Sequence, residues 1–196
     1  MKLITIQNEA VLDILKNNEI YFAPKTKIEN LIAPYEYIKQ NYNWFMINAS
    51  PVFACIVGKP AEFDGAAIND SVILELDVPD DLVKQQIYYD WTDLIYFTEW
   101  PNDFYCEYGE DANFDEYVKQ VLSGEDISKR PNAAIQATIP YIDPKWLIGV
   151  YDLRAEFIKK YFSSAGNNIL DESSYKNASR VQYLQNKHKL NEKLFN

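Results

Sequence analysis

Residues Ala133–Arg154 read AAIQATIPYIDPKWLIGVYDLR. Apolar and β-branched residues crowd both ends, and Pro144 sits in the polar middle. The stretch predicts a strand, a pinned turn and a second strand, together the core of one sheet. It also separates an acidic body from a basic tail. From Lys145 onward there are nine Lys/Arg and five Asp/Glu, a balance of +4, against −14 for the preceding 144 residues. An acidic body repels phosphates, so nucleic acid is excluded as its partner.

Working outward, Ser71–Val78 (SVILELDV) is a strand stopped by Pro79, and Asp80 and Asp81 suit a helix start. Val52–Val57 is a continuous apolar run, as in a strand buried on both faces. Lys2–Gln7 is β-prone, Asn8 is a ready N-cap, and Val11, Ile14 and Leu15 recur at helical spacing. Ile20–Ala23 reads as a further strand before Pro24. Tyr35, Ile38, Tyr42 and Phe45 make a helical stripe, read as core, beyond a break at Pro34. Gly58–Asp70, with Gly65, is a loop. Asp77–Glu116 holds twelve Asp/Glu, one basic residue (Lys84) and ten aromatic residues, too aromatic a mixture for disorder. It predicts helices near Asp90–Thr98 and Phe114–Leu122, with a loop over Pro101–Asn113 between them. Ala155–Phe162 is helical. This irregular order predicts an α+β domain over residues 1–162, a single mixed or antiparallel sheet flanked by helices. Residues 163–196 form a basic extension, a docked helix or a frayed tail.

No apolar run approaches the roughly 20 residues that span a bilayer. The opening MKLITIQNEAVLDILKN lacks the apolar block of a signal peptide, so a cytoplasmic protein is expected. Cys55 and Cys106 have no CxxC spacing, and the single histidine, His188, lies between two lysines of the tail. A zinc site of three or four ligands is not expected from such a set. Serine-elbow, phosphate-loop, dinucleotide and metalloprotease motifs are absent. Glu75 and Asp77 share a strand face and read as its solvated side. Asp90, Trp91, Asp93, Trp100 and Asp103 are the candidates through which the acidic aromatic segment would meet a basic protein partner or a cationic ligand.

KLITIQNEAVLDILKNNEIYF, followed by SVILELDVPDDLV, resembles an uncharacterised bacterial family, the domain-of-unknown-function family numbered 3841. Its members open with a Trp-Thr-x-Gln strand and a Val-Leu-x-x-Leu helix and carry a strand ending in Val-Pro-Asp-Asp. Thr5, Gln7 and Val78–Asp81 match, Ile4 replaces the tryptophan, and Trp91 falls on a further tryptophan of the family. The resemblance implies a grouping without a mechanism. A second likeness is to the ADP-ribosyltransferase-like fold, which also opens strand, helix, strand and closes on an element similar to Asp143–Val150. It implies an NAD or nucleotide site, with Thr5 and Gln7 near the first-strand position that grips NAD and Gln136 near the catalytic glutamate. A neutral amide hydrogen-bonds a ribose hydroxyl but cannot stabilise an oxocarbenium ion by charge.

The expected function is therefore a non-catalytic ligand-binding or regulatory domain. Its ligand site would use Thr5, Gln7, Tyr21 and Gln136 for a nucleotide-like molecule, with no resident cofactor or metal. One alternative is a divergent NAD-using transferase or nucleotide-modifying enzyme built on the same four residues, with Glu75 or Asp143 as acid or base. The other is a structural role, the basic tail pairing with an acidic neighbour.

Overall fold

A computed structural model describes residues 1–44, 46–63, 70–162 and 168–176. Its centre is a six-stranded sheet, antiparallel at every junction. The strands are β1 (Lys2–Asn8), β2 (Val52–Ile56), β4 (Ser71–Asp77), β5 (Lys84–Ile87), β6 (Ile135–Ile139) and β7 (Leu147–Asp152), in the order β5-β6-β2-β1-β4-β7. Two short strands, β3 (Pro60–Ala61) and β8 (Asn168–Ile169), pair beside it. The helices are α1 (Ala10–Lys16), α2 (Glu29–Asn41), α3 (Tyr88–Glu99), α4 (Pro101–Tyr108), α5 (Phe114–Ser123) and α6 (Ala155–Tyr161). The α+β class follows from the sequence as expected, and the sheet is antiparallel rather than mixed. No helix among the described residues is long and apolar enough to cross a membrane.

Side chains alternate along each strand, so the sheet has two buried faces. The first face carries Leu3, Val52, Ala54, Ile56, Val72, Leu74, Leu76, Ile135, Ala137 and Ile139, covered by Val11, Leu12 and Leu15 of α1 and by Trp146. The second face is covered in two halves. Over β1, β4 and β7 lie Phe157 and Tyr161 of α6 with Leu170 and Tyr175. Over β2 and β6 lie Ile38, Trp91, Leu94, Val118, Val121 and Leu122 from α2, α3 and α5.

The strands of Ala133–Arg154 do not pair with each other. β6 sits between β5 and β2, and β7 forms the far edge beyond β4. The link is a crossing rather than a hairpin. Ile142 exchanges backbone hydrogen bonds with Tyr21, and the Asp143 carboxylate accepts from the Lys145 N–H at 2.8 Å to start a short turn at Pro144. This uses Ile20–Ala23 as two isolated bridges, Tyr21–Ile142 and Ala23–Ser50, and not as the expected strand. α2 runs through Pro34 rather than starting after it, giving up one backbone hydrogen bond near the end of its first turns. Pro101 opens α4 where a loop was expected, and Lys84–Ile87 is a strand.

Gly124 has φ +70°, and a Cβ there would meet the Gln85 carbonyl oxygen at 2.5 Å, so only glycine lets α5 end against β5. Residues 168–176, beyond the expected boundary at 162, return to the body: Leu170 and Tyr175 are buried in its core. Phe45, Gly65, residues 163–167 and the basic segment 177–196 with His188 lie outside the described residues.

Candidate functional site

Cross-strand partners share a face. Gln136 on β6 lies opposite Cys55 of β2 and Gln86 of β5, which places all three on the second face. The Gln86 Nε2 donates to Thr138 Oγ1 at 2.7 Å. The Oε1 atoms of Gln86 and Gln136 are buried without a hydrogen-bond partner among the described residues. A buried acceptor left so costs about 1–3 kcal/mol. Gln86 is fully enclosed, whereas Gln136, 9% exposed, lines a cavity of about 160 Å³.

Helical spacing builds the cavity wall. Tyr88, Trp91, Thr92 and Ile95 stand at i, i+3, i+4 and i+7 on α3, one continuous stripe, and Leu31 and Tyr35 stand at i and i+4 on α2. Phe53, Ala54 and Cys55 of β2 and Glu62 complete the lining with Gln136. Tyr35 stacks on Trp91 with centroids 6.3 Å apart, and Phe53 tilts against both at 5.6 and 5.5 Å. The Thr92 hydroxyl donates to the Tyr89 carbonyl at 2.7 Å, and the Cys55 thiol to the Glu62 carbonyl at 3.4 Å. Tyr89 donates its hydroxyl to the Glu62 carboxylate at 2.6 Å. Burial pushes the Cys55 thiol up to about 12, so it stays protonated at neutral pH and is no nucleophile. The cavity is thus walled by flat rings, with the Gln136 amide in its lining.

The four residues expected around one nucleotide are not brought together. Thr5 and Gln7 lie opposite Leu74 and Val72, on the first face, and Tyr21 packs against the same cluster. The sheet separates them from Gln136. Thr5 has a local role: the β1–β2 ladder covers only Leu3 and Ile4, and beyond it the Thr5 hydroxyl donates to the Phe53 carbonyl at 2.8 Å, in turn accepting from Gln7 Nε2 at 2.8 Å.

The partner set also divides. Trp91, 4% exposed, is not a surface residue but a wall of the Gln136 cavity, because the α3 period turns it inward with Leu94. Asp90 is held by both guanidinium nitrogens of Arg130, and Asp103 accepts from the Tyr96 hydroxyl. Burial first, then Asp90 and Glu107, hold the Asp93 carboxyl above the usual carboxylate range, opposed by Arg130. Trp100 is exposed. Sequence reasoning missed Tyr35, Phe53, Glu62 and Tyr88 as site residues; the i, i+3 spacing of Tyr88 and Trp91 on α3 was the available signal.

Two other features need placing. A wider, open cleft of about 820 Å³ runs past Asn41, Lys84, Gln85, Gly124 and Arg130, but Arg130 is already spent on Asp90. Glu75 is 2% exposed, which corrects the expected solvated face; only Asp77 of that pair is exposed. The Glu75 carboxylate accepts from Tyr151 at 2.7 Å and Tyr175 at 3.3 Å, with Lys176 and Lys2 at 3.4 and 3.8 Å. Burial, then the Glu75 carboxylate, pushes both phenols up. No group of three metal-ligating side chains occurs among the described residues. Comparison with protein-family models, with curated proteins and with solved structures finds no match.

Proposed function

We propose that the protein is a non-catalytic binding domain whose ligand seats a single flat ring in the Gln136 cavity and donates an N–H to Gln136 Oε1. The observation that carries this reading is Gln136, a residue nine-tenths buried that lines an aromatic cavity and whose amide oxygen has no partner among the described residues. Native structures pair nearly all such groups, so an exception at a cavity points to an outside partner. The volume of about 160 Å³ is close to the roughly 150 Å³ that takes one benzene ring. It is well below the roughly 300 Å³ of an ordinary small-molecule site. A nucleotide-like ligand would therefore enclose only its base. The separation of Gln136 from Thr5 and Gln7 lends no support to the transferase alternative. Exposed Trp100 with Asp93 and Asp103 supports a second reading, a surface for a basic protein partner.

A melting-temperature screen of single-ring N–H donors (aniline, 2-aminopyridine, nicotinamide) at millimolar concentration tests the main reading. A ligand bound to the native state alone raises stability by mass action. At least one compound is expected to raise the Tm of the wild type and leave Gln136→Leu unmoved. No shift in the wild type, or an equal shift in Gln136→Leu, overturns it.

A further inference from the structure

We infer that the ligand of the Gln136 cavity is cationic, an organic ammonium or protonated ring amine; this rests on the cavity being a binding site. The residues lining it include Glu62, which carries a carboxylate, and Gln136, whose buried amide oxygen has no partner among the described residues, but no Lys, Arg or His. Among the lining donors, Thr92 and Cys55 are turned to backbone carbonyls. Glu62 spends Oε2 on the Tyr89 hydroxyl, a bond that fixes the carboxylate without neutralising it. The walls are the rings of Tyr35, Phe53, Tyr88 and Trp91. Aromatic faces attract cations through their quadrupole, tryptophan most strongly, and the attraction grows where water is excluded. Acceptor, carboxylate and rings thus all favour the same ligand charge. The body beyond, at −14 over its first 144 residues, adds a long-range field of the same sign.

The test uses three probes of matched size and different charge: benzylammonium, benzyl alcohol and benzoate. Binding to the full-length protein is measured by calorimetry and by Tm shift. Benzylammonium is expected to bind at least about tenfold tighter than benzyl alcohol, a difference of roughly 1.4 kcal/mol, and benzoate not at all. Glu62→Gln should bring benzylammonium down to the level of the alcohol. Should that variant fail to fold, salt provides the second measurement: wild-type affinity for benzylammonium falls with ionic strength, and that for the alcohol does not. If alcohol or benzoate binds as tightly as benzylammonium, and Gln136→Leu abolishes all binding, the charge inference fails while the site stands. If no probe binds the wild type, the site itself fails, and the charge inference with it.

Discussion

Glu75 and Gln136 occupy the same row of the same sheet face, linked across β4, β1, β2 and β6 through Ile4 and Cys55. Both are polar and both are nearly excluded from water. Their surroundings differ completely. Glu75 is served by two tyrosines and two lysines, and Glu172 ties those same lysines together at its rim. Gln136 lines a cavity walled by rings, and its amide oxygen has no partner among the described residues. A buried polar group that the chain satisfies by itself is a structural device, here one that pins residues 172–176 to the sheet. A buried polar group that the chain leaves unsatisfied gives up stability: Gln86 does so fully enclosed, and Gln136 does so beside a cavity that, on the proposed reading, a ligand occupies.

The comparison breaks most visibly at Glu75. Replacing it with leucine orphans the hydroxyls of Tyr151 and Tyr175, while Lys2 and Lys176, each about two-fifths exposed, turn to water. Two orphaned hydroxyls at about 1–3 kcal/mol each give an expected loss of about 3 kcal/mol in chemical denaturation. A loss under about 1 kcal/mol would show that the network is not structural. Gly149 probes the same network from the next strand. It lies opposite Glu75, and a Cβ there would stand 2.6 Å from the Tyr151 hydroxyl and 2.8 Å from Glu75 Oε2. Gly149→Ala is expected to cost about 2 kcal/mol by overpacking. An unchanged unfolding midpoint would mean the tyrosine has room to move.

At Gln136 the sign reverses. Leucine has a similar volume and no acceptor, so Gln136→Leu should stabilise the ligand-free protein by about 1 kcal/mol, since removing an unsatisfied group returns its desolvation cost. In a chain of this size that is a rise in Tm of about 2–4 °C. A fall in Tm would place Gln136 with Glu75, as a residue the fold itself requires, and would dissolve the contrast.

Much of the fold was legible because the strands that carry it are apolar: β2 and β4 are almost continuous hydrophobic runs, and β1 pairs with β4 along its whole length. β5 was not legible. Its sequence, KQQI, is polar, and it joins the sheet as an edge strand beside β6. α4 buries only Phe104, so it has no period to read, and the proline at its start was the sole signal. The site was half legible. Gln136 and Trp91 were both singled out, but for two different surfaces, because nothing in local sequence tells that α3 packs over β6. The Glu75 network was hidden for the same reason: its two tyrosines are supplied from 76 and 100 residues away, and alternation with exposed Asp77 argued for water.

The smallest expected effect is a local one, at the rim of the Glu75 network. Lys176 first, then Lys2, hold the Glu172 carboxyl down at about 2, against roughly 4.3 for a free glutamate. A carboxyl depressed by folding contributes stability above its unfolded value and loses it as pH falls toward its folded one. Glu172 also supplies the backbone carbonyl that accepts from the Tyr175 and Lys176 amides. The attachment of residues 172–176 should therefore hold from neutral pH to about 4.5 and weaken between there and about pH 2. Hydrogen exchange read residue by residue follows it: the Tyr175 and Lys176 amides should lose protection in that window, before the β6 amides around Gln136 do. High salt should shift the loss to higher pH, since both lysines are solvent-accessible and their attraction is screened. Simultaneous loss at Tyr175 and in β6 would mean that the segment is held by apolar burial of Leu170 and Tyr175 alone, with the charge network contributing nothing to its attachment.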